Sequence, residues 1–246
     1  RMKVKSVERV LGGCTNVLYK VVSADLTVLV RIFGAPGMID REQETATFAK
    51  LSSLNLAPAF YGRFANGRVE GYLHGMRHLK SSELSDPKIS KAIAKAMGRL
   101  HTTFTDYSDA DKPTLWKQLY DWLEQAERAT FQKESEAQVW RELELAKRIR
   151  PELDALQSQM ASGNYETCFC HNDVLAGNVM YDGKSNLQLI DFEYGGVNYR
   201  GFDIANHFNE FAGGPPNVTD PDFTLLPNET QQRTFLQAYL EATIIK

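Results

Sequence analysis

The sequence predicts an α+β chain in two lobes, a small antiparallel sheet followed by a mainly helical part. Three observations lead there. Residues 4–33 hold three apolar segments separated by turn residues, the pattern of an antiparallel meander. Beyond about residue 75 the apolar residues recur at helical spacing instead. Late in the chain two short apolar runs flank a turn rich in Asp, Gly, Lys, Ser and Asn, and acids and amides cluster beside them. At 246 residues the chain can bury a substantial core, as one large domain or two small lobes.

The elements follow in order. Val4 to Leu11, Val17 to Val22 and Thr27 to Phe33 are broken by Gly12-Gly13 and by Ser23-Ala24-Asp25. In the third segment, alternation puts Leu29, Arg31 and Phe33 on one face. Arg31 there is either an edge residue whose head reaches water or one half of an ion pair. Asp40 with Gln43 has the spacing of a capping box, so a helix starts there. Glu44, Phe48 and Leu51 then share a stripe, which turns Glu44 inward. A buried carboxylate requires a partner, and Arg31 is the natural candidate. Residues 67–73 read as a strand after a turn, and the lobe boundary is placed near Gly75, dividing the chain into 1–75 and 76–246.

Ser85-Asp86-Pro87 starts a helix whose apolar residues run from Ile89 to Phe104, with His101 in a structural role. Leu115 to Ala129 and Ala137 to Met160 carry further stripes (Trp116, Trp122 and Leu123; Trp140, Leu143, Ile149, Leu153 and Leu156), and these read as core. Pro151 lies inside the last one, so a kink or break is expected there.

The chemistry concentrates between Cys168 and Phe211. His171-x-Asp173 is followed by Asn178, and a strand from Leu187 to Ile190 then delivers Asp191. Val179 to Tyr181 and Leu187 to Ile190 read as a hairpin that brings Asn178 and Asp191 together at its open end. That order suits phosphoryl transfer, which needs a carboxylate near the attacking hydroxyl and oxygen ligands that hold Mg²⁺ against nucleotide phosphates. Cys168-x-Cys170-His171 is a poor zinc pattern, because no second Cys/His pair lies nearby in sequence; small residues in a buried strand is the better account.

The motif His-x-Asp-x-x-x-x-Asn, then Ile-Asp-Phe-Glu-Tyr, then Asn-Tyr-Arg-Gly-Phe-Asp-Ile-Ala-Asn-His-Phe-Asn-Glu, resembles the choline/ethanolamine kinases, relatives of the aminoglycoside phosphotransferases within the protein-kinase-like fold. The resemblance covers nearly the whole chain. It implies ATP between the lobes, Mg²⁺ on Asn178 and Asp191, and Asp173 as the base that orients the acceptor hydroxyl. It places Arg31 and Glu44 where kinases carry a strand Lys and a helix Glu, Gly13 and Asn16 in the turn over the phosphates, and Leu73 in the segment whose backbone holds adenine. His171 and Asp203 become braces of the loop. Glu210 and Tyr194 fall at the family's positions near the amine of a small amino alcohol. Family members usually continue past Gln-Ala-Tyr-Leu-Glu-Ala with helices that close the acceptor pocket, and these are expected to be missing from the chain as given.

A carboxylate suits a primary ammonium, whereas a trimethylammonium needs an aromatic cage. The reading therefore favours ethanolamine, with choline as second acceptor, in the first step toward phosphatidylethanolamine or phosphatidylcholine. A choline-preferring kinase, another small-molecule kinase of the aminoglycoside type and a non-catalytic kinase-like scaffold stay open beside it. Net charge −3 argues against a nucleic-acid partner. The apolar runs fall short of the roughly 20 residues that span a bilayer, no signal pattern opens the chain, and three cysteines are too few for a disulfide framework, so a cytoplasmic protein is expected. Dimers occur among choline kinases, so the resemblance also admits a homodimer.

Overall fold

In the computed structural model, which describes residues 3–10, 16–34, 40–105, 113–213 and 220–244, the three early apolar segments are strands β1 (Val4–Val10), β2 (Asn16–Ser23) and β3 (Thr27–Phe33), antiparallel neighbours in sequence order. Where one further strand was expected there are two, β4 (Phe60–Phe64) and β5 (Gly67–Gly71). The sheet order is β1-β2-β3-β5-β4, so β5 pairs with β3 and Arg68 stands opposite Arg31. Gly67 permits the close approach: a Cβ there would sit 2.2 Å from the Arg31 carbonyl oxygen.

Helix α1 (Arg41–Ser53) starts as the spacing predicts, with the Asp40 carboxylate accepting from the backbone N–H groups of Glu42 and Gln43. Its stripe of Glu44, Phe48 and Leu51 is buried. Beyond the sheet, β6 (Arg77–His78) leads to α2 (Pro87–Thr103), capped by Asp86 with Pro87 in its first turn. Helices α3 (Thr114–Glu127), α4 (Glu134–Leu143) and α5 (Leu145–Ala161) follow. Then come β7 (Thr167–Cys170), the hairpin β8 (Val179–Tyr181) and β9 (Leu187–Leu189), β10 (Gly196–Tyr199), α6 (Arg200–Asn209) and α7 (Glu229–Ile244). Strand β8 pairs on both sides, with β6 and β9, while β7 pairs with β10. The core runs from Phe48 and Leu51 of α1 through Ile93, Met97 and Leu100 of α2 to Phe235 and Tyr239 of α7. Helices α2 and α7 cross closely at Gly98, where a Cβ would come within 2.8 Å of the Tyr239 carbonyl oxygen.

Two expectations are corrected here. The helical segment around 134–161 does not break at Pro151, which lies inside α5; it breaks at Glu144, held left-handed at φ 45°. Pro151 is tolerated because Lys147, whose carbonyl loses its donor, is exposed and can bond water instead. The α4 and α5 stripes are not core either. Among the described residues α4 buries none, and Leu143, Ile149 and Leu156 are well exposed. Helical spacing identifies an apolar face, but burial needs a second element laid over it. In α3, by contrast, Trp116 and Leu123 are buried as read, while Trp122 is only half-buried.

Candidate active site

The segment 171–178 is held by bonds at nearly every residue. His171 and Asn172 donate their backbone N–H groups to the two carboxylate oxygens of Asp203 on α6, at 2.9 and 2.8 Å. The His171 ring donates through Nε2 to the Ile190 carbonyl, 2.9 Å away, tying the loop to the end of the hairpin. His171 is fully buried, and burial holds its pKa below the ordinary value, so the ring is a neutral strut. His207 of α6 donates through Nδ1 to the Val174 carbonyl at 2.7 Å.

Asp173 and Asn178 come together within this frame. The Asn178 Nδ2 donates to the Asp173 carboxylate at 2.8 Å and to its backbone carbonyl at 2.9 Å, which leaves the amide oxygen turned away from that pair. Asn178 in turn receives the Ile190 N–H on its backbone carbonyl, so the residue just before Asp191 is fixed to the loop. Asp191 has φ 63° and Asn172 φ 65°, left-handed conformations that Asp and Asn tolerate better than other side chains. Burial, then the charges of Glu210, Asp191 and Glu193, push the Asp173 carboxyl up to about 7, against the opposing bond from Asn178. Glu210 is raised as well, by burial.

Arg31 is buried but does not bond Glu44, which corrects the expected pairing. Its Nε meets Glu70 at 2.8 Å and its Nη1 meets Asp191 at 3.2 Å. Glu44 is instead held by Arg68 at 2.7 Å and Arg41 at 2.8 Å. Register explains the exchange. Arg31 and Arg68 lie opposite each other on β3 and β5, and Glu70, two residues along, sits between their guanidinium groups, accepting from Arg68 Nε at 2.7 Å. Arg41 reaches on to Glu193 at 3.3 Å. From Asp191 through Arg31, Glu70, Arg68, Glu44 and Arg41 to Glu193, charges alternate in a ring that the backbone from 191 to 193 closes. It holds three guanidinium groups and four carboxylates, and the Asp191 side chain is the most exposed of the seven. Burial works against the Arg31 and Glu70 charges, but their mutual attraction wins: Arg31 is held above its ordinary pKa and Glu70 below.

Sequence reasoning missed Arg68, Glu70, Arg41, Glu193 and Asn172. Arg68-x-Glu70 on a strand places opposite charges on one face, a signal that needed only the pairing with β3 to become specific. Asn172 was signalled by its type, since Asn between His and Asp suits a left-handed loop position. Its Nδ2 donates to the Tyr194 carbonyl at 2.9 Å, and its Oδ1 accepts from Asn198 at 2.7 Å, which carries the loop onto β10.

Tyr194 and Asp173 face a cleft of about 780 Å³ walled by Leu119 and Trp122 of α3, Leu156 and Met160 of α5, and Phe202 of α6. The edge of the Tyr194 ring meets Trp122. Glu210 follows α6, half-buried, outside that lining. Asn16 opens β2 and is buried, while Leu73 follows β5 and accepts the Met76 N–H. Gly13 lies outside the described residues.

The family model described as choline/ethanolamine kinase matches residues 7–245. A probable ethanolamine kinase of Arabidopsis thaliana is 36% identical over 96% of the chain and 63% of its own length. The chain thus spans under two thirds of that relative. Among solved structures, an ethanolamine kinase of Plasmodium vivax superposes with a TM-score of 0.81 at 26% identity, covering 96% of this chain and 66% of that one. A choline kinase of Cryptosporidium parvum gives 0.78 at 27% identity, over 98% and 74%. The antiparallel sheet followed by helices is the two-lobed, protein-kinase-like fold.

Proposed function

Since the chain belongs to the choline/ethanolamine kinase family, we propose that it transfers the γ-phosphoryl group of ATP to the hydroxyl of ethanolamine, with choline as a second acceptor. One observation carries the reading: Asp173, bonded to Asn178, lines a cleft and has Glu210 and Asp191 as charged neighbours. Asp173 orients the acceptor hydroxyl and takes its proton as the O–P bond forms.

The donor set fits Mg²⁺, because the Asn178 amide oxygen and the Asp191 carboxylate are hard oxygen ligands at the two ends of a fixed hairpin. Held by these two, the ion would neutralise charge on the phosphates. Arg31 offers the nucleotide a permanent positive charge beside Asp191. Gly13 and Asn16 are proposed for the phosphate turn and Leu73 for the adenine edge. His171, Asp203 and Asn172 keep Asp173 in place and take no part in the chemistry.

Glu210 supports a primary amine as the acceptor's other end. Its carboxylate pays a desolvation cost that an arriving ammonium would relieve, and the ammonium's three donors can bond it directly. Tyr194, which lines the cleft beside Trp122, is proposed as an aromatic contact for the acceptor. Turnover of Mg-ATP with ethanolamine, choline and an aminoglycoside in parallel tests the proposal. Ethanolamine should react fastest, and Asp173→Ala should lose about 10²-fold or more in kcat. Preference for the aminoglycoside, or near-normal rates in Asp173→Ala, would overturn it.

A further inference from the structure

Cys168 and Cys170 project from one face of β7 with their sulfurs 3.6 Å apart. Both are buried, at 1% and 0% exposure. His101, from α2 and nearly seventy residues away in sequence, brings a ring nitrogen to the same place, so that one donor atom from each of the three lies within 4.8 Å of the others. His171, the residue adjoining Cys170, faces the Ile190 carbonyl instead and takes no part.

We propose that Cys168, Cys170 and His101 form a binding site for one thiophilic d¹⁰ cation, of the Zn²⁺, Cd²⁺ or Cu⁺ class. The sulfur spacing is that of two thiolates on one ion. With metal–sulfur bonds of about 2.3 Å, a 3.6 Å separation subtends an angle of about 100°, near tetrahedral. The ligand set is soft, which selects these ions over Mg²⁺. A second shell is also present. His101 bonds Asp203 through Nε2 at 2.9 Å and the Tyr239 hydroxyl through Nδ1 at 2.8 Å, so whichever nitrogen turns to an ion leaves the other on an oxygen that orients the ring.

The contacts of the thiols agree with this geometry. The two sulfurs share one hydrogen-bond contact, and the Cys170 S–H also has the Asn198 and Tyr199 carbonyl oxygens within reach, at 3.6 and 3.7 Å. An ion that takes both sulfurs displaces their protons, so its hold should tighten as pH rises. The site is separate from the oxygen ligands at Asn178 and Asp191, and the inference does not depend on the phosphotransferase reading.

The test uses the reduced chain, refolded from denaturant with one equivalent of Cd²⁺ so that burial does not bar entry. The expected result is a thiolate-to-metal absorption band in the ultraviolet, kept in Cys14→Ser and lost in both Cys168→Ser and Cys170→Ser. Absorption fine structure of the wild-type chain refolded in the same way with Zn²⁺ needs no variant, and should show two sulfurs at about 2.3 Å and one imidazole. No band, a band that survives loss of Cys168 or Cys170, or a shell of oxygens alone would overturn the proposal.

Discussion

Replacing Arg68 with methionine should destabilise the sheet by about 3 kcal/mol, and the figure follows from the ring of charges. Arg68 is fully buried, and its guanidinium lies over the Phe48 ring with 4.3 Å to the centroid. Methionine keeps most of that stem's contact with Phe48, so the loss is chiefly electrostatic. Removing one partner of a buried ion pair costs about 3–5 kcal/mol, because the remaining charge stays in low dielectric. Here two carboxylates lose a partner, but each keeps another at 2.8 Å, Glu44 its Arg41 and Glu70 its Arg31, which puts the cost at the lower end. All three tryptophans, Trp116, Trp122 and Trp140, lie in α3 and α4. Fluorescence would report those helices, so urea unfolding should be followed by far-UV circular dichroism, together with amide hydrogen exchange in β3 and β5. Adding Glu44→Gln should recover part of the loss, with a coupling of about 1–2 kcal/mol. A loss under about 1 kcal/mol, or a double variant that is merely additive, would refute the view that the ring is a single electrostatic unit.

Two further perturbations test other parts of the structure. Glu210→Gln removes a negative neighbour of Asp173, whose carboxyl is held up at about 7. Asp173 should then ionise at lower pH in a carboxyl ¹³C titration of the metal-free protein, and an unmoved midpoint would show that the Glu210 charge does not reach it. Gly98→Ala forces a Cβ to 2.8 Å from the Tyr239 carbonyl and 3.1 Å from Ala242. Overpacking of about 1–3 kcal/mol outweighs a helix-propensity gain of about 1 kcal/mol, so Tm should fall; a rise would mean that α2 and α7 yield freely.

The sequence was most legible where local rules and burial agree. The Asp40 and Asp86 caps, the inward Glu44 and the hairpin joining Asn178 to Asp191 all depend on neighbours within a few residues, and each is found where the spacing placed it. Arg68 as a partner of Glu44 and Glu70 as a partner of Arg31 were not legible, because they follow from the insertion of β5 between β3 and β4, a pairing that spans nearly forty residues, whereas Arg41 lies one turn from Glu44 on α1. Pro151 misled because the cost of a helical proline depends on whether the orphaned carbonyl meets water, which is a property of the folded surface. The apolar faces of α4 and α5 misled for the related reason that periodicity says which side is apolar without saying what covers it. Cys168-x-Cys170 looked isolated because the histidine that joins its cluster comes from a helix far away in sequence.

The ring that passes through Arg31 has a thermodynamic consequence. Asp191 has to divide its charge between that guanidinium and any divalent ion, and Arg31, which also holds Glu70, has to divide its own among the two carboxylates and any phosphate. An ion that draws Asp191 away releases Arg31 toward anions, and an anion that engages Arg31 releases Asp191 toward cations. Linkage makes the two effects equal in size. On the proposed function, a metal ion and a nucleotide should therefore be taken up synergistically, each tightening the hold on the other.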